Sequence, residues 1–326
     1  MKTVLVTGST GFIGSNLVAE LIRRGFSVRA LYRMTSDTGM LNGLDVEHVH
    51  GDLLDSASLR RAMIGCDTVF HTAAVVSFWK GRKEEQFRVN IEGCRNIVEA
   101  CLNSGIGTLV HTSSVAAIGY RTDGGISDEE TAYNWGNSIV YRYTKHLAEL
   151  EILQGVERGL RAIIVNPSIV IGPGDRNMHG GRLIIDVKRG RIPAFTSGGA
   201  NIVGVRDVID GHIRAADRGK PGERYILSGS NYTHRDLLRL IAERVHGRSP
   251  FIKIPSQLVT YTGNIFDILG RIIKREPPLT SELAANIIHY NWYSCEKAVR
   301  ELGYHPSPVE QAITEAYEWY RQHALV

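Results

Sequence analysis

The 326-residue chain has only four cysteines, Cys66, Cys94, Cys101 and Cys295, irregularly spaced and without a C-x-x-C pair. This argues against a disulfide framework and for isolated thiols in a reducing cytoplasm. There is no H-E-x-x-H or Cys/His grouping, and Glu47-His48-Val49-His50 reads as alternation along a strand, so no structural metal is expected. No apolar run reaches transmembrane length without a charge or a Gly/Pro interruption, and no basic segment followed by an apolar core opens the chain. Neither a spanning helix nor a secretory leader is therefore expected. The net charge of +4 is spread along the sequence and not gathered into a block, which argues against duplex nucleic acid as a partner. Repeats and low-complexity tracts are also missing. What remains, 43% hydrophobic and 22% charged residues, is the composition of a globular protein long enough for one large α/β unit or two domains sharing a cleft.

The strongest local signal is Thr3-Val4-Leu5-Val6-Thr7-Gly8-Ser9-Thr10-Gly11-Phe12-Ile13-Gly14, an apolar strand entering a glycine loop that opens the amphipathic run Phe12 to Arg24. Glycines at 8, 11 and 14 permit the tight turn, close approach of backbone to a pyrophosphate, and tight helix-on-strand packing. Up to about residue 170, β-rich runs alternate with helical patterns, so the spacing predicts a doubly wound parallel sheet of the Rossmann type. The expected strands are Thr3 to Thr7, Ser27 to Tyr32, Val46 to His50, Thr68 to His71, Thr108 to Thr112 and Arg161 to Asn166. Helices are expected at Glu85 to Asn103 and Ile139 to Glu157. After Asn166-Pro167 the turn-rich Ile171-Gly172-Pro173-Gly174-Asp175 breaks the alternation. The expected division is a dinucleotide-binding domain, 1–171, to which 202–228 returns, and a smaller, mostly helical substrate domain from 172–201 and 229–326.

In a dinucleotide fold a carboxylate ending the second strand binds the ribose hydroxyls of NAD. Tyr32 holds that place here and Arg33 follows, and a guanidinium pairs bidentately with the 2′-phosphate of NADP, so NADP(H) is preferred with NAD(H) also admitted. Asp37 lies close enough to take the acidic role if its loop folds back. Asp52, in Gly51-Asp52-Leu53, can hydrogen-bond the adenine or simply shape a turn.

Tyr141-Arg142-Tyr143-Thr144-Lys145 places a phenol and an ammonium at i and i+4 on one helix face. The nearby positive charge is expected to lower the phenol's pKa and make Tyr141 a usable acid or base. Upstream, Val110-His111-Thr112-Ser113-Ser114 ends a strand with two hydroxyls at the carboxyl edge of the sheet. Ser114 can there donate to a substrate carbonyl oxygen as charge develops.

These segments, together with His71-Thr72-Ala73-Ala74, Asn90 within Val89-Asn90-Ile91-Glu92-Gly93, and Asn166-Pro167-Ser168-Ile169, occur in the order seen in extended short-chain dehydrogenases/reductases. The chain resembles the NAD-dependent epimerase/dehydratase superfamily, and within it the dihydroflavonol-reductase-like branch, close to hopanoid-associated sugar epimerase-type proteins. That likeness runs to about Pro308 and includes Gly303-Tyr304-His305-Pro306. It implies that Tyr141 exchanges the proton, Lys145 also binds the nicotinamide ribose, and Ser114 orients the carbonyl. Asn90 would hold a relay water. Gly8, Thr10, Gly11, Phe12, Ile13, Gly14, Leu53, Thr72, Ala73, Ala74 and the backbone after Pro167 would meet the cofactor. Family habit also implies a homodimer through the helices carrying Asn90 and Tyr141.

Sugar-nucleotide epimerases share these parts, so the substrate side must separate the two activities. Ala200 stands where such epimerases carry a diphosphate-binding arginine, which with Arg33 favours a carbonyl reductase over an epimerase or dehydratase. Candidate pocket residues are Val76, Phe78, Trp79, Tyr120, Asn134, Trp135, His179, Arg182 and Tyr261, whose aromatic character suits a ring-containing carbonyl. The apolar helix Gln257 to Ile273, followed by Lys274 and Arg275, is read as covering the cleft or packing on the smaller domain, with peripheral contact to a membrane surface as the alternative.

Overall fold

The structure, a computed structural model, describes residues 2–178 and 180–325. Its strands are β1 Thr3–Thr7, β2 Ser27–Tyr32, β3 Glu47–His50, β4 Thr68–His71, β5 Thr108–Thr112, β6 Ala162–Pro167 and β7 Ile169–Ile171. Then come β8 Ala194–Thr196, β9 Gly199–Gly204, β10 Arg224–Leu227, β11 Ser230–Thr233, β12 Ile252–Ile254 and β13 Tyr290–Asn291. The helices are α1 Phe12–Arg23, α2 Ser56–Met63, α3 Lys83–Phe87, α4 Gly93–Ser104, α5 Val140–Glu157 and α6 Arg182–Lys188. They continue with α7 Val205–Arg218, α8 His234–Val245, α9 Ser256–Ile273, α10 Ser281–Ile287, α11 Glu296–Leu302 and α12 Val309–Gln322.

Seven parallel strands form the main sheet in the order β10-β6-β5-β4-β1-β2-β3. Strand order reverses between β1 and β4, so a crevice opens beyond their carboxyl ends, where a doubly wound fold binds its ligand. Helices cover both faces. On one, Val4, Val6, Val110, Ile163 and Val165 meet α1, α7 and α11; on the other, Leu5, Val69, Leu109 and Ile164 meet α2, α4 and α5. Strands buried on both faces need continuous apolar runs, which is why Ala162-Ile163-Ile164-Val165 shows no alternation.

Two details depart from the sequence pattern. The expected single helix Glu85 to Asn103 is interrupted by a π turn, Arg88–Glu92, because Asn90 turns inward to bond the Val75 peptide. The smaller part also carries sheets beneath its helices: β11-β9-β13 with β7 on β9, and the pair β12-β8. Since β9 is fully buried within the first of these, the expected boundary at 202 falls inside a strand, and the chain rejoins the larger layers with α7 at Val205. A third core, built from Ile171, Ile184, Leu237, Ile313 and Tyr320 among others, holds this part together.

Candidate active site

The cleft lies at the carboxyl ends of β1, β4, β5 and β6 and has a volume of about 450 Å³. Gly8, Gly11, Phe12, Ile13, Gly14, Thr72, Ala74, Ser114, Tyr141, Lys145 and Pro167 all line it. The glycine loop is built for close packing. Gly8 has φ +65°, and a Cβ there would stand 2.7 Å from the Ala73 backbone; one on Gly14 would stand 2.1 Å from the Gly8 carbonyl oxygen. Gly11 caps α1 without a side chain, so the first-turn N–H groups remain for an anion. These residues fit a dinucleotide pyrophosphate.

Tyr141 and Lys145 are both buried, one turn apart on α5. Burial pushes the Tyr141 phenol up, against the opposing pull of a hydrogen bond with Ser114 and the charge of Arg142. The expectation that Lys145 would bring this phenol down is therefore overturned, because desolvation outweighs the polar neighbours and the Lys145 ammonium is turned to the Thr112 carbonyl oxygen, 2.9 Å away. Burial also lowers Lys145 to about 8, opposed by Cys94 and Glu149. Near neutrality the pair is a neutral phenol and a cationic lysine.

A hydrogen-bonded scaffold fixes this wall. The buried Glu149 carboxylate accepts from Ser113 at 2.5 Å and from Asn166 at 2.6 Å, with Arg224 3.5 Å away. Asn166 also donates to the Ser114 carbonyl. Thr112 donates to His212 Nε2, whose Nδ1–H is held by the Val208 carbonyl. Asn90 accepts from the Val75 N–H at 2.8 Å and donates to the Val75 carbonyl and the Thr144 hydroxyl, so its side chain clamps two neighbouring segments.

Behind Lys145, the ligand atoms of His71, Cys94 and His111 lie within 4.8 Å of one another, a grouping that the linear spacing hides. Burial, with the Lys145 charge, lowers His71 to about 3 and holds His111 well below its ordinary value, while burial raises the Cys94 thiol to about 12.

Arg33 is exposed just beyond β2, and Asp37 is paired with Arg176 at 2.7 Å. Asp52 caps its own turn through the Leu54 N–H at 2.9 Å. Arg33, Asp52, Leu53, Thr10 and Ala73 do not line the cleft, although Ala73 packs on Gly8.

Of the substrate candidates, Val76 and Phe78 line the cleft, and the Phe78 ring meets that of Tyr141 edge-on at 5.5 Å. Trp79, Tyr120, Asn134, Trp135, Arg182 and Tyr261 do not line it. Trp135 stacks under the Arg142 guanidinium and meets Tyr120 and His289; Asn134 bonds the Tyr120 backbone; Trp79 folds over Gly81. Arg182 is exposed and paired with Asp186, and Tyr261 points outward from α9. His179 lies outside the described residues.

The cleft is also lined by residues the sequence did not single out: Arg142 on α5 and, on the opposite wall, Asn201, His234, Leu283, Asn286 and Asn291. Arg142 donates to the side-chain oxygens of Asn286 and Asn291, tying α5 to α10 and β13. The only advance signal was adjacency of Arg142 to Tyr141.

Sheet order, glycine loop and the Ser114, Tyr141 and Lys145 cluster together define an extended short-chain dehydrogenase/reductase. The chain belongs to the NAD dependent epimerase/dehydratase family, whose model matches residues 4–228. It is 36% identical over 327 residues to a dihydroflavonol 4-reductase-like protein of Synechocystis, covering 98% of this chain and 95% of that one. Sterol demethylase protein B of Methylococcus capsulatus is 35% identical over 327 residues, covering 99% and 100%. The crystal structure of gox2253 superposes with a TM-score of 0.88 at 38% identity and covers both chains fully.

Proposed function

We propose that the protein is an NADP(H)-dependent carbonyl reductase, reversible as a secondary-alcohol dehydrogenase, for an apolar ring-containing substrate. The observation that carries this reading is the convergence of Ser114, Tyr141 and Lys145 on a cleft that Val76, Phe78, Val115, Leu283 and Ile287 also line. The names of the two relatives, one after a dihydroflavonol and one after a sterol, both refer to ring compounds and support the same substrate class. The glycine loop and first turn of α1 would hold the pyrophosphate, Arg33 the 2′-phosphate, and Lys145 the nicotinamide ribose. When bound, the cofactor supplies a hydride at C4 of its nicotinamide.

The chain's own work is proton management and orientation. Ser114 donates to the substrate carbonyl oxygen and aligns it with Tyr141. Tyr141, kept protonated by burial, gives its proton to that oxygen as charge develops there. Lys145, cationic below about pH 8 and donating to the Thr112 carbonyl oxygen, would hold the nicotinamide ribose one helical turn from that phenol. Ala200, buried in β9, offers no guanidinium to a sugar diphosphate, and Arg142 is engaged with Trp135, Asn286 and Asn291.

The test is turnover with a panel of ring ketones and UDP-hexoses, followed by the absorbance of reduced nicotinamide and by product chromatography. Stoichiometric NADPH consumption with a ketone supports the reading. Interconversion of a UDP-hexose without net cofactor change, or binding of NADPH with no turnover of any carbonyl, overturns it.

A further inference from the structure

Helix α9 is amphipathic in the inverted sense. Its inner face buries Val259, Gly263, Asp267 and Gly270, with Phe266 half-buried beside them. A Cβ on Gly263 would stand 2.9 Å from Ala284 and from the Thr280 carbonyl, and one on Gly270 2.9 Å from Pro277, so the helix is seated tightly on α10 and its connection. Its outer face carries the apolar side chains: Leu258, Tyr261, Ile265, Ile268, Leu269 and Ile272 recur at helical spacing and are all exposed. Ile272 is 73% exposed, and Phe251, just before the helix, 78%. Of the two expected placements, the helix packs on the smaller part through α10 and does not line the cleft, which leaves its apolar face outward.

Charge around this face is mostly of one sign. Between Phe251 and Arg275 the only carboxylate is Asp267, which is buried and accepts from Ser281; Glu276, the next residue, accepts from Ser77 at 3.4 Å. Lys253, Arg271, Lys274 and Arg275 are exposed, and among the described residues none of them has an ion-pair partner. Exposed Lys80 and Lys83 follow the loop that Thr280 ties to α10 by donating to the Phe78 carbonyl at 2.6 Å. An apolar stripe about 27 Å long, from 18 residues at 1.5 Å rise, thus lies among unpaired cations. That combination matches the acyl boundary and anionic headgroups of a lipid surface.

We infer that α9 docks this protein on the surface of a bilayer containing anionic phospholipid, its outer face seated at the headgroup–acyl boundary. No helix among the described residues is long and apolar enough to cross a membrane, so the contact is peripheral. The position also serves the cleft. Helix α10 lies under α9 and lines the cleft with Leu283, Asn286 and Ile287, and Phe78 stands at the same end. Only α9 and α10 therefore separate a lipophilic substrate dissolved in the bilayer from the cleft, a consequence that rests on the reductase reading; the docking itself does not.

The experiment is cosedimentation of the full chain with vesicles of phosphatidylcholine alone or mixed with phosphatidylglycerol, with sedimentation velocity of the free protein alongside. Binding is expected to the mixed vesicles and to be roughly tenfold or more weaker with phosphatidylcholine alone, in high salt, or in Lys274→Glu/Arg275→Glu. Ile268→Glu/Ile272→Glu should abolish it while a water-soluble ketone is still reduced and thermal unfolding is unchanged. Absence of binding to the mixed vesicles overturns the proposal. So does a dimer of the free protein that Ile268→Glu/Ile272→Glu dissociates, because the face is then covered by a second copy. Vesicle binding without ketone reduction would instead overturn the reductase reading and leave the docking standing.

Discussion

The two walls of the cleft are held together by different means. On the side of the main sheet, Ser113, Asn166, Glu149 and Arg224 form a buried polar network beneath Ser114, while Thr112 links Lys145 to His212. On the other side, Asn201, His234, Leu283, Asn286 and Asn291 come from β9, α8, α10 and β13 and reach the first wall through a few bridges. Those bridges are Arg142 to Asn286 and Asn291, the Val140 N–H to Glu282, and Thr280 to the Phe78 carbonyl. The difference teaches a division of labour. On the proposed reading, the wall that moves protons holds its groups in place through buried hydrogen bonds, whereas the wall that selects substrate can vary while its bridges survive.

The largest expected effect comes from the first wall. Tyr141→Phe removes the proton donor while keeping the ring that meets Phe78, so kcat should fall about 10²–10⁴-fold with thermal unfolding nearly unchanged. Steady-state NADPH oxidation with a ketone checks this; retention of full activity would move the proton donor elsewhere. Next is Arg33→Asp, which should lower kcat/KM for NADPH about 10–100-fold and leave or improve that for NADH, as expected for loss of a charge-assisted pair and gain of a ribose acceptor. An unchanged ratio of the two coenzymes would place 2′-phosphate recognition elsewhere.

The same division governs what could be read from the linear chain. The strands β1, β4 and β5 coincide with the expected runs because their centres are buried on both faces and apolar, and β2 does so although Arg29 interrupts its apolar residues; the groups that line the cleft follow β1, β4 and β5 within a few residues. Tyr141 and Lys145 are separated by one helical turn, so their proximity is local geometry. Asn201, His234, Asn286 and Asn291 are gathered from segments far apart in sequence, and no spacing rule joins them. Trp79, Tyr120 and Trp135 look like pocket residues because composition cannot say which side of a loop a ring faces; here they pack on Gly81, His289 and Arg142. The acidity of Tyr141 was hidden for another reason. Its neighbours are written in the sequence, but the burial that outweighs them is a property of the assembled cleft.

A change confined to substrate selection should be milder than loss of the proton donor. Phe78→Ala removes a ring that lines the cleft beside Tyr141, so kcat/KM for an apolar ring ketone should fall about tenfold, within the roughly 1–3 kcal/mol that a hydrophobic pocket contact supplies. The loss should shrink for a small acyclic ketone that cannot reach this ring. Equal losses for both substrates would mean that Phe78 positions Tyr141 and does not select.

The smallest effect concerns the bridge between the walls. Glu282 on α10 accepts from the Val140 N–H at 3.0 Å, at the first turn of α5, and burial raises its carboxyl to about 7. In the unfolded chain this group ionises near its ordinary 4.5, so between about pH 4.5 and 7 the folded state holds a proton that the unfolded state has released. Its contribution is therefore most favourable below that window and is lost as pH rises through 7. Glu282→Gln keeps a neutral acceptor for Val140 and removes the titration, so the variant should gain Tm relative to the parent by a few degrees between pH 5 and pH 8. Thermal scans of both proteins across that range check it. Parallel curves would mean that Glu282 titrates at its ordinary value, with water reaching the seam between α10 and α5, and the bridge would then belong to the surface and not to the joint that holds the two walls together.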